Sequence, residues 1–169
     1  ISFVKDSNVA VAALVVLTYP EMKVVHTAMS HCEMKIPYIP GFLAFREVPA
    51  LMPLIEELRR EKPELLPQII VVDGNGVHHY RRCGFASHLG VLADIPTIGA
   101  AKKLLAVDGL SREPFEAAFT EFCGKSKDNV LFPIHGKSGA FWGYAAKTGQ
   151  ANKKPLYISP GHRISFASA

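Results

Sequence analysis

The sequence predicts an α/β fold with a mixed central sheet flanked by helices, and three observations carry that expectation. The first third reads as three strands joined by short turns, the middle holds a β-branched apolar run without alternation, and helical periodicity lies on either side of that run. At 169 residues with 49% hydrophobic residues, the chain is long enough for one domain with a single substantial core.

The segments Ile1 to Val4, Val9 to Thr18 and Met22 to Met29 are strand-like, separated by Lys5-Asp6-Ser7-Asn8 and Tyr19-Pro20-Glu21. Two successive short connections predict an antiparallel meander. Further on, Leu51, Leu54, Ile55 and Leu58 repeat at helical spacing opposite Glu56, Glu57, Arg59 and Arg60, which predicts an amphipathic helix. Pro49 suits an early helical position, whereas Pro53 removes a donor and crowds the preceding turn, so a late start or a kink is expected. The run Ile69-Ile70-Val71-Val72 fits a central strand covered on both faces and ends in Asp73-Gly74. A helix over about Phe85 to Ala93 then leads through Pro96 into a strand ending at Lys102, and strand, helix, strand predicts a parallel crossover. Ser111 to Asn129 reads as a helical insertion, and Gly139 to Lys147 and Pro155 to Ser159 as strands before a terminal helix. This order of elements is that of the ribonuclease H-like architecture.

Composition narrows the class. The longest apolar run, Val9 to Leu17, falls short of the roughly 20 residues of a membrane-spanning helix, and no signal peptide precedes it, so a soluble chain is expected. Cys32, Cys83 and Cys123 are scattered and odd in number, which fits neither a disulfide framework nor a zinc site and implies a reducing setting. A net charge of +4 and a pI near 9.0 favour a polyanionic partner, a weak signal on its own. The start at Ile1, without an initiator methionine, reads as a fragment whose beginning is missing.

Two nucleotide-binding motifs fail. Gly74-Asn75-Gly76 follows a strand as a dinucleotide loop does, yet His79 stands where the third glycine belongs. Gly136-Lys137-Ser138 resembles the end of a phosphate-binding loop, but Leu131 occupies the place of its first glycine. Asp73 draws more interest, because ligands of open α/β sheets bind beyond the carboxyl ends of strands, where a carboxylate can hold a hard cation; it is equally the start of an Asp-Gly turn. Glu47 can be read as a carboxylate stabilised at a helix N-terminus, or as the partner of Asp73 in binding magnesium. His162 follows a strand and reaches the same end of the sheet if that strand is suitably oriented, while His78, His79 and His88 lack metal-ligand spacing. Arg81, Arg82, Lys102, Lys103, Lys153, Lys154 and Arg163 fall near element ends, as either a phosphate-facing surface or a solvated basic face. Tyr38, between Pro37-side and Pro40-side constraints, is a stiff aromatic suited to stacking on bases or to capping the core edge.

Five stretches, in order, resemble endonuclease V over essentially the whole chain. They are Pro37-Tyr38-Ile39-Pro40-Gly41-Phe42-Leu43-Ala44-Phe45-Arg46-Glu47, Val71-Val72-Asp73-Gly74-Asn75-Gly76, Ala86-Ser87-His88-Leu89-Gly90-Val91, Ile98-Gly99-Ala100-Ala101-Lys102, and Tyr157-Ile158-Ser159-Pro160-Gly161-His162-Arg163. The resemblance implies a ribonuclease H-like nuclease that uses Mg²⁺, or Mn²⁺ in its place, to hydrolyse the second phosphodiester on the 3′ side of inosine. It makes Asp73 a metal ligand, Glu47 a catalytic carboxylate at the metal, Lys102 a positive group by the scissile phosphate, and His162 an aid to metal or water placement. It makes Tyr38 a wedge stiffened by Pro37 and Ile39, and sets the hypoxanthine near Leu43, Gly74, His79 and Phe85. The family also carries an aspartate, a principal metal ligand, immediately before the position of Ile1, and usually a proline where Tyr80 stands in bacterial members. Asn75, the run from Ala101 to Leu110 and Phe3-Val4-Lys5 look closer to animal members, which implies inosine-containing RNA as substrate. The rivals are a deoxyinosine-specific DNA repair endonuclease and an inosine-binding module without catalysis. A monomer in the cytoplasm, with a nuclear or nucleolar pool and no membrane partner, is the expected setting.

Overall fold

The computed structural model describes residues 1–5, 7–124, 130–149 and 154–169. The end of the expected insertion at Asn129, Asp6 of the first turn and Lys153 lie outside them. The chain divides into two compact units, residues 1–68 and 69–169.

In the first unit, β1 (Ser2–Phe3), β2 (Val9–Leu17) and β3 (Val24–Glu33) form the expected antiparallel meander in the order β1-β2-β3. Alternation along β2 turns Ala10, Ala12 and Val16 into the core, and α1 (Leu43–Glu61) packs on β2 and β3 through Ala44, Val48, Leu54, Ile55 and Leu58. Alanines on the strand let the helix approach closely. The helix starts earlier than its prolines suggest and runs through both. Pro49 and Pro53 are one turn apart on the exposed face, so water can satisfy the carbonyls that lose their amide partners, and the core-facing hydrogen bonds are undisturbed.

In the second unit, five strands form a mixed sheet in the order β4-β5-β8-β7-β6. They are β4 (Ile70–Val72), β5 (Thr97–Ala101), β6 (Val130–His135), β7 (Phe141–Lys147) and β8 (Leu156–His162). Among the described residues only β4 and β5 run parallel, joined as expected by α2 (Phe85–Ala93); the other pairings are antiparallel. Two expectations are corrected here. β4 is an edge of its sheet, with Ile70 and Val72 buried and Val71 exposed, so its unbroken apolar run reflects β propensity rather than cover on both faces. The terminal helix is absent: after His162 the chain makes only a turn, in which Ser168 and Ala169 donate to the Ser165 carbonyl. Gly136-Lys137-Ser138 lies in the turn of the β6–β7 hairpin.

Thr97, Gly99 and Ala101 point to one face of β5, and Tyr157 and Ser159 to the same face of β8. There α3 (Arg112–Gly124) contributes Phe119 and Cys123 to a core with Leu104, Val107, Ile134, Trp142 and Tyr157.

Candidate functional site

Asp73 follows β4 and Lys102 follows β5, so the parallel pairing brings both side chains out at the same end of the sheet. Lys102 Nζ donates to Asp73 Oδ2 at 2.7 Å, with the side chains 73% and 65% exposed. A pair so open to water adds at most about 1 kcal/mol to stability. Its charges are instead available to a ligand.

The loop between Asp73 and α2 is bolted to the sheet by backbone. Gly76 N–H donates to Ser159 Oγ at 3.0 Å and Val77 N–H to the Pro160 carbonyl at 2.7 Å, while Gly84 and Ala86 N–H donate to the Gly76 and Asn75 carbonyls. Gly74 lacks a side chain for a reason of its own: a Cβ there would meet the Phe85 ring at 2.8 Å, so the two residues grouped by the resemblance are neighbours. His79 is buried, and burial first, then the charge of Arg81, lowers its pKa. Its Nδ1 accepts from Arg81 N–H at 3.3 Å, which leaves the proton of the neutral ring on Nε2.

His78 donates from Nε2 to the Leu105 carbonyl at 3.1 Å and lies against Trp142, with ring centroids 5.9 Å apart. Desolvation pushes its pKa down to about 4. The unfolded chain therefore binds more protons than the folded one between about pH 6.5 and 4, and stability present above pH 6.5 is lost as pH falls through that window. The loss expected at pH 4 is about 2–3 kcal/mol, and denaturant midpoints of the wild type and His78→Gln between pH 7 and 4 measure it. An equal fall in both proteins would remove His78 as its source.

In the first unit, Tyr38 is 63% exposed and Ile39 48% exposed on the segment that leads from Pro37 into α1. Leu43 and Glu47 stand one turn apart at the start of α1 and share a face; Glu47 is only 7% exposed. A carboxylate that far from water needs donors or a cation beside it. Arg46 lies over the Phe3 ring at 4.9 Å.

His162 does not join Asp73. β8 runs antiparallel to β5, so His162 pairs with Thr97 at the amino end of β5, opposite the end where Lys102 emerges. The Gly90 backbone of α2 packs against its Cβ, and the neighbouring Arg163 pairs with Asp94 at 2.7 Å at that far end. The orientation of the last strand, which sequence left open, decides this.

Sequence reading passed over Asp108. Its carboxylate accepts from Ser138 Oγ at 2.6 Å, Ser138 N–H at 3.1 Å and Trp142 Nε1–H at 3.1 Å. These bonds, Ser138 Oγ foremost, lower its pKa. Asp108 and its partners are 30 or more positions apart, beyond any local spacing rule.

The donors at hand for a metal are of the right chemistry, hard carboxylate oxygens, but too few. Among the described residues no group of three or more His, Cys, Asp or Glu is placed to hold a metal ion.

A mixed sheet flanked by helices, with an acid–lysine pair beyond its two parallel strands, is the ribonuclease H-like α/β arrangement. The family model for Endonuclease V matches residues 1–169, and the chain belongs to that family. It is 48% identical to mouse Endonuclease V over 100% of this chain and 50% of that protein, and 46% identical to the human one over 100% and 60%. The chain thus spans about half the length of the mouse relative. The catalytic domain of human Endonuclease V superposes with a TM-score of 0.91 at 48% identity, covering 98% of this chain and 67% of that one. So does Endonuclease V of Ciona intestinalis, in complex with a 24mer DNA containing an inosine followed by a ribo-adenosine, with a TM-score of 0.91 at 36% identity over 98% and 70%. These relatives bear out the animal-type resemblance and the fold.

Proposed function

We propose that this chain is the catalytic region of an endonuclease that cuts nucleic acid near inosine, at the second phosphodiester on its 3′ side, with inosine-containing RNA as the preferred substrate. The observation that carries the reading is the Asp73–Lys102 pair at the carboxyl ends of two parallel strands, beside a loop that presents a neutral His79, in a chain matched to the family over its whole length.

In this reading the substrate phosphate draws the Lys102 ammonium from Asp73, and Lys102 then offsets charge on the phosphate oxygens as the bond breaks. His79 offers an Nε2–H donor to an acceptor on the hypoxanthine edge, and the Gly74 backbone meets that edge where no side chain intervenes. Tyr38, stiffened by Pro37 and Ile39, fills the gap the displaced base leaves; in the second unit Phe85 lines the base pocket with Gly74. Displacement costs a few kcal/mol, least in a single strand or weak pair, which favours inosine in loops. In the first unit, Glu47 is the proposed catalytic carboxylate. Nucleases of this family are in general metal-dependent, and Mg²⁺, with Mn²⁺ in its place, is the proposed cofactor. Asp73 and Glu47 alone do not complete a site for it.

The Ciona relative's strand is DNA with one ribonucleotide after the inosine, which keeps a DNA-cutting reading in play. Matched oligonucleotides that differ only in their ribose 2′-hydroxyls separate the two. We expect the full-length protein to cleave the RNA strand at least about tenfold faster, a difference of about 1.4 kcal/mol in the barrier, and to stop when divalent cations are chelated. Equal rates would remove the RNA preference; tight inosine-dependent binding without cleavage would make the protein a binding module.

A further inference from the structure

Arg82 stands in a backbone conformation that costs energy. Its φ is 52°, in the left-handed region that disfavours residues other than glycine by about 1 kcal/mol. From there its guanidinium carbon lies 4.3 Å from the centroid of the Trp142 ring. The indole beneath it is held in place: Nε1–H donates to Asp108 Oδ2, Ser138 clamps the same carboxylate with two bonds, and the His78 ring packs beside it. Asp108 also attracts Arg82. Three separate segments therefore hold one exposed guanidinium over an indole.

That arrangement suits an anion more than a brace. Stacking covers one face of the guanidinium and leaves its in-plane N–H donors at the rim, the edge that phosphate oxygens take two at a time. Arg81 and the exposed Lys137, whose backbone N–H donates to the Asp108 carbonyl, add two further cations against the single carboxylate. The position also matters: Arg82 N–H donates to the His79 carbonyl at 2.9 Å, so the charge is anchored in the turn that carries His79.

We propose that Arg82, laid on Trp142, is a substrate-binding residue that takes a backbone phosphate of the strand beside the nucleoside held at the His79 loop. The proposal rests on the nuclease reading for the identity of that strand. A phosphate contact carries no base information, so Arg82 contributes affinity to inosine-containing and control strands alike.

The test is equilibrium binding of the full-length protein to single-stranded RNA, with inosine or with adenosine at one position, across a range of salt. Arg82→Gly is the informative variant, because glycine adopts this φ without strain and keeps the turn. It should melt no lower than the wild type, bind both strands about five- to tenfold more weakly, and lower the slope of log affinity against log salt by about one. Arg82→Lys, which keeps the charge but not the stacked plane, should fall between. In cleavage, KM should rise with kcat unchanged.

Unchanged affinity and slope in Arg82→Gly, with the wild type binding and cutting normally, would overturn the Arg82 proposal alone. A lower melting temperature with an unchanged slope would make Arg82 a structural brace. If the wild type binds both strands without cutting either, and the slope still drops, the nuclease reading fails and the Arg82 contact stands. A wild type that binds no strand removes both.

Discussion

Asp73→Ala is expected to lower single-turnover cleavage of an inosine-containing RNA by about a hundred- to a thousandfold, the scale on which loss of one charge-stabilising group acts, without loosening the protein. The reason lies in the exposure of the Asp73–Lys102 pair, 65% and 73%. An ion pair that wet adds little to the folded state, so its removal should move the melting temperature by no more than about two degrees. Activity and stability are thereby uncoupled at this residue, which is what a site for a ligand rather than for the fold predicts. Lys102→Ala should fall in the same direction, and the double variant should lose less than the two singles summed, because the two residues work as one pair. Cleavage within a few-fold of wild type in Asp73→Ala would remove the site from this end of the sheet.

Much of the arrangement was legible beforehand, for identifiable reasons. The parallel β4–α2–β5 crossover followed from a β-branched run, a helical period and a second run in that order, and it fixes Asp73 and Lys102 at one end. Local signals sufficed because each element carries its own period. What stayed hidden depends on pairing across long separations. Nothing near His162 reveals that β8 runs antiparallel to β5, and that direction alone sends His162 to the amino end. Val71 reads as a core residue because an edge strand and a central strand share the same β-branched composition; only the sheet order shows its face open. Pro49 and Pro53 argue against a helix until their shared exposed face is known. Asp108 lies next to a turn glycine, Gly109, and its carboxylate finds Ser138 and Trp142 only through tertiary packing.

Gly99→Ala should damage the second unit severely. A Cβ at Gly99 stands 2.3 Å from the Gly76 nitrogen, 2.6 Å from the Gly74 carbonyl oxygen and 2.7 Å from the Asn75 carbonyl carbon. All three are backbone atoms of the segment that follows Asp73, and that segment cannot retreat without breaking the bonds from Gly76 N–H to Ser159 Oγ and from Val77 N–H to the Pro160 carbonyl. Overpacking against backbone costs about 2–3 kcal/mol, or roughly 5–10 °C in melting temperature for a chain of this size. The same displacement shifts Asp73 relative to Lys102, so kcat should fall in the fraction that remains folded. Gly139→Ala is the counterpart: its φ is 79° but no atom lies within 4 Å of the added Cβ, so the cost is the left-handed backbone alone, about 1 kcal/mol. Thermal melts of the two variants decide between a loop held by close backbone approach and one merely tolerant of it. Gly99→Ala melting at or above Gly139→Ala would show that the Asp73 loop is free to move away from the sheet.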